Sequence, residues 1–76
     1  MYERIRHFRE DNDIKQVEMA RQLNIHQSTY SDYELGKLGI PIPILSQIAD
    51  IFGTSTDYLI NRTDTEAPYP RKKSTP

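Results

Sequence analysis

The chain has no cysteine and no tryptophan, and only three of its 76 residues are glycine. Without cysteine, disulfide staples and thiolate metal sites are excluded. The absence fits a reducing compartment, and the expected location is the cytoplasm. No apolar run approaches the ~20 residues that a membrane span needs. No signal peptide is legible, because Met1-Tyr2-Glu3-Arg4 leads straight into an amphipathic stretch. A strong basic excess is also missing. Net charge is −1, and residues 1–63 alone carry seven Lys/Arg against nine Asp/Glu. Any contact with nucleic acid must therefore come from a local arrangement of charge and not from the field of the whole molecule.

What is present is patterned. Hydrophobic residues make up 36% of the chain and fall into short periodic groups. Tyr2, Ile5 and Phe8 recur every third position with charges between them, which predicts a helix over 2–11. Asn12-Asp13 is a stop, since Asn and Asp tolerate the left-handed turn. Ile14 reads as a buried connector. Met19, Ala20 and Leu23 share a face of a second helix, 16–23. Asn24 stands at a tight turn, and a third helix, 27–35, ends at Gly36. A fourth runs from Pro41 to Phe52 on Ile42, Leu45, Ile48, Ala49 and Phe52, and stops at Gly53. Ser55 caps a short fifth helix containing Tyr58, Leu59 and Ile60. The pattern dissolves after Asn61. Residues 67–76, rich in proline and basic side chains, read as a disordered tail. The expectation is an all-α, five-helix domain over 1–63 with a tail over 64–76.

The third helix divides sharply by chemistry. With Gln27 at zero and about 100° per residue, Ser31 lies near 40°, Leu35 near 80°, Ser28 near 100° and Asp32 near 140°. Thr29, Tyr33 and Tyr30 fall near 200°, 240° and 300°. The tyrosine face wants a core. The opposite face is small and polar, which is compatible with plain solvation. Yet its short side chains let a large partner approach closely, and Gln27 is suited to bidentate reading of adenine. A helix, a tight turn and a second helix is the layout in which the second helix enters the major groove.

The run "IKQVEMARQLNIHQSTYSDYELGK", followed by "IPIPILSQIADIFGTSTDYLINRTD", resembles the Xre family, the Cro/phage-repressor type of helix-turn-helix, over residues 2–63. The resemblance implies a lambda-repressor-like domain acting as a DNA-binding transcriptional regulator, a repressor by expectation, with double-stranded DNA and a second copy as partners. It implies that Gln27, Ser28, Ser31 and Asp32 face base edges. It places Gln16 and Lys37 toward phosphate, with Gln16 bracing Gln27; Lys15 and His26 are further candidates for phosphate contact. It pairs Arg9 with Glu34 inside the domain, and it puts a homodimer contact near the last helices, where Ile44, Ile51, Tyr58 and Ile60 are candidates. This chain departs from the family pattern in having Asn24 for Gly, Tyr30 for an aliphatic residue, and Lys15 and His26 at helix starts usually held by Ser or Thr. Asp32 is repelled by phosphate and can accept only from donors such as cytosine N4.

Other readings are weaker. His7 and His26 lack the spacing of a metal pair, and zinc needs three or four ligands. Ser28, Ser31, His26 and Asp32 lie on one short helix, where adjacent side chains diverge, so they make no catalytic triad. Neither an enzyme nor a cofactor is expected, and no small-molecule substrate is evident. The serious alternative is a protein-interaction module that binds a partner protein through an apolar surface of helices 4 and 5. Ile40, Ile44, Ile51, Tyr58 and Ile60 exceed what one small core needs.

Overall fold

The computed structural model describes residues 2–68. Among them are five helices and no strand: α1 (Glu3–Asp11), α2 (Gln16–Leu23), α3 (Gln27–Leu35), α4 (Ile42–Phe52) and α5 (Thr56–Leu59). Residues 69–76, including most of the expected tail, lie outside the described residues.

Every helix stops in the same way. A residue with positive φ follows the last turn at Asp13, Asn24, Gly36, Gly53 and Asn61. In each case the next amide reaches back five residues to a carbonyl: Ile14 to Arg9, Ile25 to Ala20, Lys37 to Asp32, Thr54 to Ala49 and Arg62 to Asp57. This is the Schellman closure, and it satisfies carbonyls that a helix end otherwise leaves orphaned. The starts are less uniform. Ser55 accepts a hydrogen bond from the Tyr58 amide at 3.0 Å, whereas Tyr2, Lys15, His26 and Pro41 give no side-chain cap.

The core is built from Ile5 of α1, Met19, Ala20 and Leu23 of α2, Tyr30 of α3, Leu45, Ile48 and Ala49 of α4, and Leu59 of α5. Helices α2 and α3 pack on each other, α4 packs on α2, and α1 lies across α3 and α5. Ala20 is 3% exposed within the core cluster, where a larger side chain would have to displace its neighbours. On the other side, Phe8 stacks on Phe52 with ring centroids 5.1 Å apart and meets the edge of Tyr58 at 5.8 Å.

Three expectations are adjusted. Tyr2 and Pro41 precede their helices as N-cap residues and are not part of them. Ile42, expected on the core face of α4, is 78% exposed. Ile42 is the first residue of α4 and stands at the open end of the stripe, while Ile44 packs against the core.

Gly53 sits at φ +65, and a Cβ built there meets nothing within 4 Å. Its replacement therefore costs backbone conformation alone. Gly53→Ala is expected to destabilise by about 1 kcal/mol and Gly53→Asn by less, since Asn occupies the left-handed region more readily. Urea or thermal unfolding of the two variants checks the order.

Candidate nucleic-acid interface

The site begins with a buried carboxylate. Glu34, in the last turn of α3, has a side chain only 4% exposed, and Arg9 of α1 has one 12% exposed. Arg9 grips Glu34 with both arms, Nε to Oε2 at 2.6 Å and Nη2 to Oε1 at 3.1 Å. Gln16 Nε2 donates to Oε1 at 3.0 Å and the Tyr30 hydroxyl to Oε2 at 2.5 Å. Arg9 Nη1 also donates to the Ile14 carbonyl at 2.9 Å. One carboxylate thus ties α1, the α1–α2 connector, the start of α2 and α3 together. Among the described residues, no buried side-chain nitrogen or oxygen lacks a hydrogen bond.

The electrostatics follow from this wiring. Burial pushes the Glu34 carboxyl up, but the hydrogen bonds from Arg9, Tyr30 and Gln16 and the Arg9 charge outweigh it and hold the group below the usual carboxylate range. The hydrogen bond to Glu34 raises Arg9. Burial, and then donation to Glu34, push the Tyr30 phenol far up, so it stays protonated.

The hub fixes how α3 is rotated. Tyr30 is fully buried and Tyr33 is 7% exposed, so the tyrosine face points inward. The opposite face carries Gln27 and Ser28, both exposed, with Ser31 and Asp32 half-buried. Lys15 and His26 are exposed at the helix starts and Lys37 is exposed just beyond α3. Gln16 is half-buried, and its amide nitrogen faces Glu34. Asn24, at φ 57, makes the turn that sets α3 against α2.

All four dimer candidates are half-buried. Tyr58 is held between Phe8 and the Arg4 guanidinium, which lies 4.0 Å from its ring centroid. Ile44, Ile51 and Ile60 are half-buried against the core. The exposed large apolar side chains are instead Val17, Leu35, Leu38 and Ile42.

Sequence reasoning also missed a clasp at Arg4. Its Nη1 donates to the carbonyls of Tyr58 at 2.9 Å and Thr63 at 2.7 Å, and Nη2 meets Asp64 at 3.0 Å. Thr54 Oγ1 donates to the Glu66 carbonyl at 2.6 Å. These bonds lay the chain after α5 back along the domain. Their acceptors are mostly backbone carbonyls far along the chain, which leave no signature in residue type. Among the described residues no group of three or more His, Cys, Asp or Glu is placed to hold a metal ion. None of the described helices is long and apolar enough to cross a membrane.

This arrangement of α2, turn and α3 agrees with what similarity shows. Residues 5–59 match the family described as Helix-turn-helix, and the chain belongs to that family, in its Xre, Cro/phage-repressor type. It is similar to the "SPbeta prophage-derived uncharacterized HTH-type transcriptional regulator YonR" of Bacillus subtilis (strain 168), at 34% identity over 61 residues. That match covers 80% of this chain and 56% of the relative, so the chain spans little more than half of the relative's length. No solved structure matches the chain.

Removing one partner of a buried ion pair leaves the other charge stranded. Glu34→Ala is therefore expected to destabilise by about 3–5 kcal/mol. The sign of the pH effect follows from the depressed carboxyl. Glu34 contributes stability above the unfolded carboxyl value of about 4.3, and that contribution is lost as pH falls through its lower folded value. Thermal melts between pH 3 and 7 are expected to fall steeply in the wild type at the acid end. In Glu34→Gln the melts start lower and depend less on pH.

Proposed function

We propose that the chain is a sequence-specific, double-stranded-DNA-binding transcriptional regulator, a repressor by mode of action, that reads the major groove with α3 and acts as a homodimer. The observation that carries this reading is the rotation of α3. Its tyrosines are buried, and Gln27, Ser28, Ser31 and Asp32 line the outward face of a helix set against α2 by a left-handed turn. The relative's description as a transcriptional regulator supports the same reading.

In this account Gln27 pairs bidentately with adenine, Ser28 and Ser31 leave room for close approach, and Asp32 accepts from cytosine N4. Lys15, Lys37, His26 and the start of α2 near Gln16 contact phosphate, where exposed amides and the helix dipole favour an anion. Gln16 has its nitrogen committed to Glu34, which leaves its amide oxygen to meet a donor such as Gln27. Two copies related by a two-fold axis place two recognition helices about 34 Å apart on one face of the duplex. The remaining exposure of Ile44, Ile51 and Ile60, with the rim of Tyr58, supplies the dimer contact. Residues 1–63 form the DNA-binding module, and the protein acts in the compartment that holds DNA, the cytoplasm of a bacterial cell.

A second reading is kept by one observation. Net charge is −1, and Leu38 and Ile42 are 46% and 78% exposed, a surface suited to a partner protein instead of DNA.

Selection from random duplexes at low salt is expected to enrich a two-fold symmetric site. Enrichment of no motif by folded protein contradicts the DNA reading. Gln27→Ala is expected to cost ~1–3 kcal/mol and relax preference at one base position. Lys37→Ala is expected to weaken all duplexes alike and to lower the salt slope by about one unit. Titrations at several salt concentrations separate the two.

A further inference from the structure

One side chain on the outward face of α3 has no role in the account above. Leu35 is 63% exposed, although it is a large apolar residue in the middle of a face otherwise made of Gln27, Ser28, Ser31 and Asp32. By helical geometry it lies about 40° from Ser31 and about 20° from Ser28, so it sits at the centre of that face and not at its rim. The buried tyrosines fix this orientation, and Gly36 ends the helix immediately after it. Leu35 is therefore held outward and takes no part in the core cluster.

We propose that Leu35 is a specificity-determining residue that recognises the C5-methyl group of thymine at the outer end of each half-site. The proposal rests on the DNA-binding reading and deepens it. Thymine is the one DNA base that presents a methyl group to the major groove, and apolar side chains are what contact it. A helical side chain leans toward the turn before its own Cα, which brings the Leu35 methyls over the turn occupied by Ser31. Ser31 and Ser28 are too short to screen that position. Lys37, exposed two residues further on, stands where a phosphate contact would hold this end of the helix against the strand. Leu35 lies eight positions beyond Gln27 on α3, a rise of about 12 Å, which spans at most about four base-pair steps of about 3.4 Å each. The thymine read by Leu35 therefore lies within about four positions of the base read by Gln27.

The test begins with the site enriched by random-duplex selection and the position that Gln27→Ala relaxes. Each thymine of that site is then replaced by deoxyuridine, which removes the methyl group and leaves every hydrogen-bonding edge unchanged. Wild-type protein is expected to lose about fourfold in affinity at one thymine within about four positions of the Gln27 contact, the loss that one buried methyl group predicts. Leu35→Ala is expected to bind the thymine site more weakly by a similar factor or more, and to be indifferent to deoxyuridine there. Because Leu35 is exposed, the variant should melt like the wild type, and a thermal melt checks that it is folded.

A flat deoxyuridine scan overturns the assignment while leaving the DNA reading intact. So does a deoxyuridine loss that persists undiminished in Leu35→Ala. If Leu35→Ala binds DNA normally and instead turns a dimer into a monomer in sedimentation, the residue belongs to a protein interface and the assignment is wrong. If folded protein selects no site at all, both the DNA reading and this assignment fall.

Discussion

The arrangement depends on one buried carboxylate. Glu34 accepts from Arg9, Gln16 and Tyr30, and through them it connects three helices and the α1–α2 connector. Replacing such a cluster with well-packed apolar groups can stabilise a protein, so its value here is better sought in geometry than in net stability. Each donor must meet a particular lone pair, and that condition sets how α3 is turned about its own axis. A slip of one residue would swing the tyrosines by about 100° and break every bond to the hub. The polar face of α3 points outward because the opposite side is pinned.

This division of labour accounts for the lean chemistry of the outward face. The charged residues of α3 are split between the two jobs, Glu34 inside and Asp32 on the outer face. No arginine or lysine lies within α3; Arg9 is taken up by Glu34 on the inner side, and the exposed Lys15 and Lys37 flank the helix pair. In the proposed complex, affinity is therefore local and salt-sensitive, and discrimination rests on few groups. Duplication through a two-fold axis compensates, since a second half-site adds contacts without new residues.

Much of this was legible in the sequence because it is written locally. Asp13, Asn24, Gly36, Gly53 and Asn61 mark five helix ends by residue types that accept positive φ, and all five have it. The burial of Tyr30 and Tyr33 followed from helical spacing. The Arg9–Glu34 pairing came from family resemblance and not from spacing, since 25 residues separate the two. What stayed hidden is non-local or depends on where an element begins. Arg4 binds carbonyls of Tyr58 and Thr63, and carbonyls have no residue signature. Ile42 belongs to the right residue class but is the first residue of α4, at the open end of the stripe. Tyr58 has the look of an exposed aromatic until Phe8 and Arg4 are placed beside it. The outward face itself was readable; what it contacts is a matter of partner chemistry that spacing alone does not encode.

The central claim is that the face of α3 opposite the Glu34 hub is the one that meets DNA. Amide chemical-shift mapping of the labelled protein titrated with its selected duplex tests this most directly. The account predicts the largest changes at Lys15–Val17 and along Gln27–Lys37, with little change over Ile44–Ile60 beyond any that free and bound dimers share. Changes centred on α4 and α5, with Gln27, Ser28 and Ser31 unmoved, would contradict it.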